Sequence, residues 1–294
     1  MKPRILIVTA LVCGYCLVVA PFARYMNNRP IAIRLGFMPE AKLLKLVAAD
    51  YKQLLAQQAI VRVLFYFGTV VDPDLRKVNS VPDYFQMFTT LQQAVLLDPY
   101  NIDAYYFAEA AYTWELHKIK EVNNLLDFGM KYRIWDPQLP FYAAFNCAYF
   151  EKDYISASKY MKMAAERSDN PLFTNLAARY FHEAGLTEVG IAFVEQMDKT
   201  TIDPRIKKLY QLRRDALRAV QRIEKALQSY KQHVGHLPVG ISQLVSEGYL
   251  DQIPHDPYGG EFYITSEGHV RSTSKFAFAG KKSDENKAMS PNGK

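Results

Sequence analysis

The pattern of apolar and polar positions changes three times along the chain. From Ile5 to Ala23 there are 19 residues without a charge. From about residue 45 apolar residues recur at spacings of three and four, the period of one helix face. Tyr154, Ala157, Met161 and Ala164 are one such set. The longest follows Pro204, where Ile206, Leu209, Leu212, Ala216, Val220, Ile223, Leu227, Tyr230 and Val234 step by three or four without a breaker. That stretch predicts a helix of about thirty residues, roughly 45 Å long, stopped by Gly235. Beyond it the period falls to two. "EFYIT" alternates, and the "EG" before "HVRSTS" suits a hairpin. The expected fold class is mainly α. It has an N-terminal transmembrane helix, an α-solenoid of helix hairpins and a small C-terminal α+β module with a short antiparallel sheet.

Punctuation divides the helical body. Asp98-Pro99, Asp136-Pro137, Asn170-Pro171 and Asp203-Pro204 lie 38, 34 and 33 residues apart. Proline disfavours helix in the residue before it, and Asp or Asn can cap the next helix. Each pair therefore ends one helix and opens the next. Between the marks each segment reads as two helices. Leu139–Phe150 and "YISASKYMKMAAER" are joined by "EKDY", while "PLFTNLAARYFHEAG" and "LTEVGIAFVEQM" are separated at Gly185. The segment Asn101–Tyr132 is looser. Upstream, "YKQLLAQQAIVRVLFYFG" and "DYFQMFTTLQQAVLL" form another pair with a longer connection. The small residues Ala157 and Gly190 permit close helix approach.

The apolar N-terminal run is close to the roughly 20 residues that a helix needs to span a bilayer core. Lys2 and Arg4 precede it. Val18-Val19-Ala20 could end a signal peptide, but Pro21 comes directly after and obstructs cleavage. The expectation is an uncleaved signal-anchor over residues 1–24. Charge bias leaves its orientation undecided, because Lys2 and Arg4 with the amine balance Arg24, Arg29 and Arg34. Cys13 and Cys16 have redox-motif spacing. Inside a lipid-spanning run they read as small apolar residues. Cys147 has no obvious disulfide partner.

Composition adds limits. Of 294 residues, 49% are hydrophobic and 22% charged, so most of the chain can bury a core. The formal charge of +6 is spread out. Clusters such as Arg205-Ile206-Lys207-Lys208 fall on a predicted helix and read as a solvated face. Nucleic-acid binding needs a concentrated basic surface with a reading motif, and none is present.

The period near 34, the pattern "DYISA" and the proline after each second helix resemble the tetratricopeptide repeat family over about residues 45–200. The usual Trp, Leu and Gly of helix one are replaced by Phe141, Ala144 and Phe145 in one repeat. The resemblance implies helical repeats over 25–203 and a concave groove that binds a protein or peptide. Its groove-facing residues would be Tyr142, Asn146, Tyr149, Asn175, Arg179 and His182. An inter-repeat packing role for the tyrosines, or a plain solvated face, is the alternative.

The C-terminal stretch carries a second pattern. Ala226-Leu227 and Tyr230 are followed by Gly235 with Pro238, then Leu244, Tyr249-Leu250, Pro254 and Asp256-Pro257-Tyr258-Gly259. Over about residues 220–274 this resembles the C-terminal part of bacterial type II secretion pseudopilins. The resemblance implies a long connector helix plus an α+β module over 204–275, in a protein of the bacterial envelope. Two departures matter. The N-terminal run lacks the early glutamate of a pilin, so no filament subunit is expected. The region "RSTSKFAFAGKKSDEN" lacks the clustered carboxylates that would bind calcium, so no metal is expected there. Residues 276–294 are rich in Lys, Ser, Asn and Gly and read as a disordered tail.

No catalytic pattern appears. His182-Glu183 lacks the second histidine of a zincin, and G-x-S-x-G, P-loop and Rossmann glycine sets are missing. His233 and His236 have no third ligand nearby. The expectation is a non-enzyme with no catalytic residue, cofactor or metal. The two resemblances, with the N-terminal run, imply a membrane-anchored periplasmic scaffold or adaptor of the bacterial inner membrane that binds a protein partner within a secretion or pilus-like assembly. The alternative is an assembly or maturation factor that holds a client protein.

Overall fold

The computed structural model describes residues 3–28, 35–71 and 81–276. Among the described residues the chain is mainly helical, with one short two-stranded antiparallel sheet. It divides into two compact units, Met1–Ala108 and Glu109–Lys294.

In the first unit, helix α1 runs Pro3–Asn28 with Pro21 inside it, and Leu11, Tyr15, Leu17 and Val18 stand exposed on it. Helix α2 (Ala41–Ala48) passes through a single 3-10 turn, Ala49–Tyr51, into α3 (Lys52–Val71). Helix α4 spans Tyr84–Leu97, and α5 spans Ile102–Ala108. Ala41–Val71, 31 residues, is the one stretch among the described residues long and apolar enough to cross a membrane. By length and composition this differs from the expectation, which placed the span at Ile5–Ala23. Two features of the stretch bear on it. Ala49 sits at φ 43°, so the run is not one straight helix. Ala56, Ile60 and Val63 of α3 are fully buried, as are Met87 and Leu91 of α4, the helix that α3 packs against. The Tyr66 hydroxyl accepts the Asp83 backbone N–H at 2.9 Å, tying the end of α3 to the start of α4.

The second unit is a run of helix hairpins. Helix α5 continues into a π turn, Glu109–Thr113, and α6 covers Ile119–Met130. Helix α7 (Gln138–Asn146) ends in a second π turn, Cys147–Glu151, and is followed by α8 (Tyr154–Glu166). Helices α9 (Pro171–Glu183) and α10 (Thr187–Thr200) form the next pair. The first helix of each hairpin stops in the same way. His117, Lys152 and Gly185 take left-handed backbone with φ of 54°, 58° and 73°. The next N–H then reaches back past a full turn: Lys118 to the Tyr112 carbonyl at 3.0 Å, Asp153 to Cys147 at 3.0 Å and Leu186 to Phe181 at 2.8 Å. The third is a Schellman stop, and the first two are its wider counterparts after π turns, with the bond reaching back one residue further. They recur 35 and 33 residues apart. Only the third uses glycine, the residue that takes this conformation without a Cβ penalty.

The Asx-Pro marks act as capping devices. Asn170 accepts from the Leu172 N–H at 3.0 Å and Asp203 from the Arg205 N–H at 2.8 Å, each with Pro at the first helical position. Asp136 is buried, accepts the Gln138 N–H at 2.8 Å and pairs with Arg133 at 2.8 Å. Between α9 and α10 the approach is close. A Cβ on Gly190 would lie 3.1 Å from the Phe181 Cβ and 3.4 Å from the Ala178 carbonyl.

Helix α11 runs Pro204–Val234, the stretch marked by unbroken apolar stepping, and Gly235 caps it at φ 85°. Its second half carries the C-terminal module. Ile223, Leu227 and Tyr230 pack in one apolar cluster with Ile241 and Leu244 of α12 (Ile241–Ser246), Tyr258, Phe262 and Val270. Strands β1 (Phe262–Ile264) and β2 (Val270–Ser272) pair antiparallel, with Tyr263 opposite Arg271. A sheet this small needs a helix to bury its face, and α11 supplies it. Beyond Phe276, the tail expected at 276–294 lies outside the described residues.

Candidate functional site

The six residues expected on a groove separate into different environments. Asn146 is fully buried. Its amide donates to Glu109 Oε2 at 2.8 Å and to Asn123 Oδ1 at 3.0 Å. It therefore presents no surface to a ligand, and the groove role expected for it is corrected to an interior one. Burial pushes the Glu109 carboxyl above its ordinary range, opposed by hydrogen bonds from Asn146 and Thr113. Cys147 lies beside this network with a free thiol, pushed up to about 12 chiefly by burial.

His182 is also interior. Its Nδ1 is 3.2 Å from Thr187 Oγ1, and that hydroxyl donates to Glu224 Oε1 at 3.0 Å. The Thr187 proton is thus committed, so Nδ1–H donates to Thr187 and Nε2 carries the lone pair. Burial, and then the positive charge of Arg271, lower the His182 pKa to about 3, so the ring is neutral. The expected groove role of His182 is corrected for the same reason as that of Asn146. Asn175 and Tyr142 are half-buried, and Asn175 Oδ1 accepts from Arg213 Nε at 3.4 Å. Arg179 is 40% exposed at its side chain, with Nε 4.0 Å from Glu183 Oε1.

Tyr149 is 53% exposed and belongs to a cluster that sequence reasoning missed. Trp114, itself 50% exposed, lies 6.0 Å from Phe145, 5.8 Å from Tyr149 and 5.1 Å from Phe150, ring centre to ring centre. Phe145 and Tyr149 stack nearly parallel at 5.2 Å. The Lys152 ammonium stands 5.3 Å from the Tyr149 ring centre. The two helix ends that supply these rings both finish through π turns. Each π turn carries one extra residue, which rotates every later side chain by about 100° relative to an uninterrupted helix. The helical period of α7 cannot therefore predict which way Tyr149 and Phe150 point. Two exposed large aromatics supported by two more rings make a surface of the kind enriched at protein interfaces.

Among the described residues no group of three His, Cys, Asp or Glu side chains is placed to hold a metal ion. No protein-family model, curated protein or solved structure matches this chain.

Proposed function

We propose that this protein is a membrane-anchored helical-repeat scaffold of the bacterial envelope that binds a protein partner. The observation that supports this reading best is the exposed ring cluster of Trp114 and Tyr149, backed by Phe145 and Phe150. Rigid aromatic side chains give large contact area at low entropy cost and dominate binding energy where partners bury them. The recurrent helix stops fit a tetratricopeptide-like body, and the sheet docked on α11 fits a pseudopilin-like module. The partner would belong to a secretion or pilus-like assembly. The apolar helix α1 would hold the chain in the inner membrane, with the remainder periplasmic.

Two experiments test the reading. A photo-crosslinker at Tyr149 should yield one discrete adduct in cells, and Trp114→Ala should abolish that adduct while the protein stays folded. An adduct that persists unchanged in Trp114→Ala would reject the aromatic cluster as the docking surface. Alkaline phosphatase fused after residue 275 should be active, and an inactive fusion would reject the periplasmic placement.

A further inference from the structure

The C-terminal hairpin and α9 enclose a cleft of about 280 Å³ within the second unit. Its walls are mostly polar, and four of its lining residues are charged. Arg179 comes from α9, Arg271 from β2, and Lys275 from the turn just past β2. One carboxylate, Glu183, faces these three cations, and Arg271 Nη2 pairs with its Oε2 at 3.0 Å. Arg179 is 4.0 Å from Glu183, a weak and partly solvated pair. Among the described residues no carboxylate pairs with Lys275. The cleft therefore holds more positive than negative charge.

Its cations are also positioned. Arg271 Nη1 lies 3.3 Å from His182 Nε2, the lone-pair nitrogen, so this guanidinium is held between a neutral imidazole and a carboxylate. Tyr263 stands opposite Arg271 across the sheet and lines the same cleft. Behind the wall, buried Arg213 lies against Phe276, with 5.4 Å from guanidinium to ring centre, and its Nη1 has no hydrogen-bond partner. A concave site with fixed cations of one sign concentrates counter-charge, and guanidinium groups match carboxylate and phosphate geometry.

We infer that this cleft is an oxyanion site that takes a carboxylate or phosphate group against Arg179, Arg271 and Lys275. The inference goes beyond the partner reading and does not depend on it, because a free anion can fill the cleft with nothing docked on the aromatic cluster.

The test uses the full-length chain in detergent. Calorimetric titrations with sodium phosphate and with a tetraglutamate peptide are compared at matched ionic strength in chloride. Saturable one-to-one binding of either probe is expected. Lys275→Gln and Arg179→Gln should each weaken it about tenfold, the loss of one charge-assisted hydrogen bond. Arg271→Gln should weaken it further. Binding of phosphate alone would identify a free anion, and binding of the peptide alone a carboxylate chain. No saturable binding of either probe would overturn the inference. So would an affinity unchanged in both Lys275→Gln and Arg179→Gln, whose exposed or half-exposed side chains leave the core intact even if Arg271→Gln fails to fold. Because the phosphate titration needs no protein partner, failure of the partner reading leaves this result untouched.

Discussion

The Ser274 hydroxyl donates to Asp256 Oδ2 at 2.6 Å, tying the turn that opens the C-terminal sheet to the residues that close it. Asp256 is almost wholly buried, also accepts the Tyr258 N–H at 2.9 Å, and takes the hydroxyl of Ser272. One carboxylate thus organises "DPYGG" and the end of β2 together. Asp256→Ala takes the acceptor from the Tyr258 N–H and from the Ser272 and Ser274 hydroxyls and should destabilise the module by about 2–3 kcal/mol. Hydrogen exchange at the Tyr263 and Arg271 amides, the pair between the ladder bonds Thr273 to Glu261 and Thr265 to His269, is the measurement, and unchanged protection would contradict this role.

The two glycines of that turn should behave differently. A Cβ on Gly260 would fall 2.5 Å from the Ser274 nitrogen and 2.8 Å from Asp256 Oδ2, so Gly260→Ala must displace backbone. Its cost should be about 1–3 kcal/mol. Gly259 has open space around it but sits at φ 79°, so Gly259→Ala should cost only about 1 kcal/mol. Thermal unfolding of the two variants should rank them in this order.

Left-handed stops without glycine store removable strain. Lys152 sits at φ 58°, where glycine is favoured by about 1 kcal/mol. Lys152→Gly should stabilise the second unit by somewhat less than that, because the contact with the Tyr149 ring is lost. A lowered midpoint in chemical denaturation would show that the ring contact outweighs the backbone strain.

Interior and surface polar residues of the second unit should separate cleanly. Asn146→Ala removes the donor to buried Glu109 and should cost about 1–3 kcal/mol. Arg179→Ala breaks only the long pair with Glu183 and should change stability by about 0.5 kcal/mol or less. Equal effects of the two variants in denaturation would contradict the assigned burial.

Acid should act on the second unit through His182. Its folded-state pKa, about 3, lies below the ordinary histidine value of 6.5. The unfolded chain therefore binds the extra proton between those values. The stability of the neutral ring is complete above pH 6.5 and is lost as pH falls toward 3. Glu109 and Glu224 oppose this, because burial raises both and their contribution is present at low pH and lost as pH rises through their folded values. The difference between the parent chain and His182→Gln isolates the histidine. The parent should lose more stability than the variant from about pH 6.5 to about pH 4. Parallel curves would show that the ring is not held neutral by its surroundings.

Local rules were legible from the sequence because they act over a few residues. Asn170-Pro171 and Asp203-Pro204 cap the helices they precede, Gly235 ends α11, and the alternation around Phe262 and Val270 makes a hairpin. Each depends on backbone sterics or a side chain reaching its own next turn. What the sequence could not supply was direction. Two π turns rotate the residues after Glu109 and Cys147, so a face counted at about 3.6 residues per turn names Tyr149 but misses Trp114 and Phe150, which complete its cluster. Asn146 and His182 look like groove donors in a helical count, but neighbouring elements cover both. Arg271 and Lys275 lie far along the chain from Arg179, and only the docking of the hairpin on α11 beside α9 gathers them into one cleft. Caps, stops and periods are written into the chain because their energies are local. Burial, charge balance and the meeting of distant side chains are decided by packing, and the tertiary structure alone sets them.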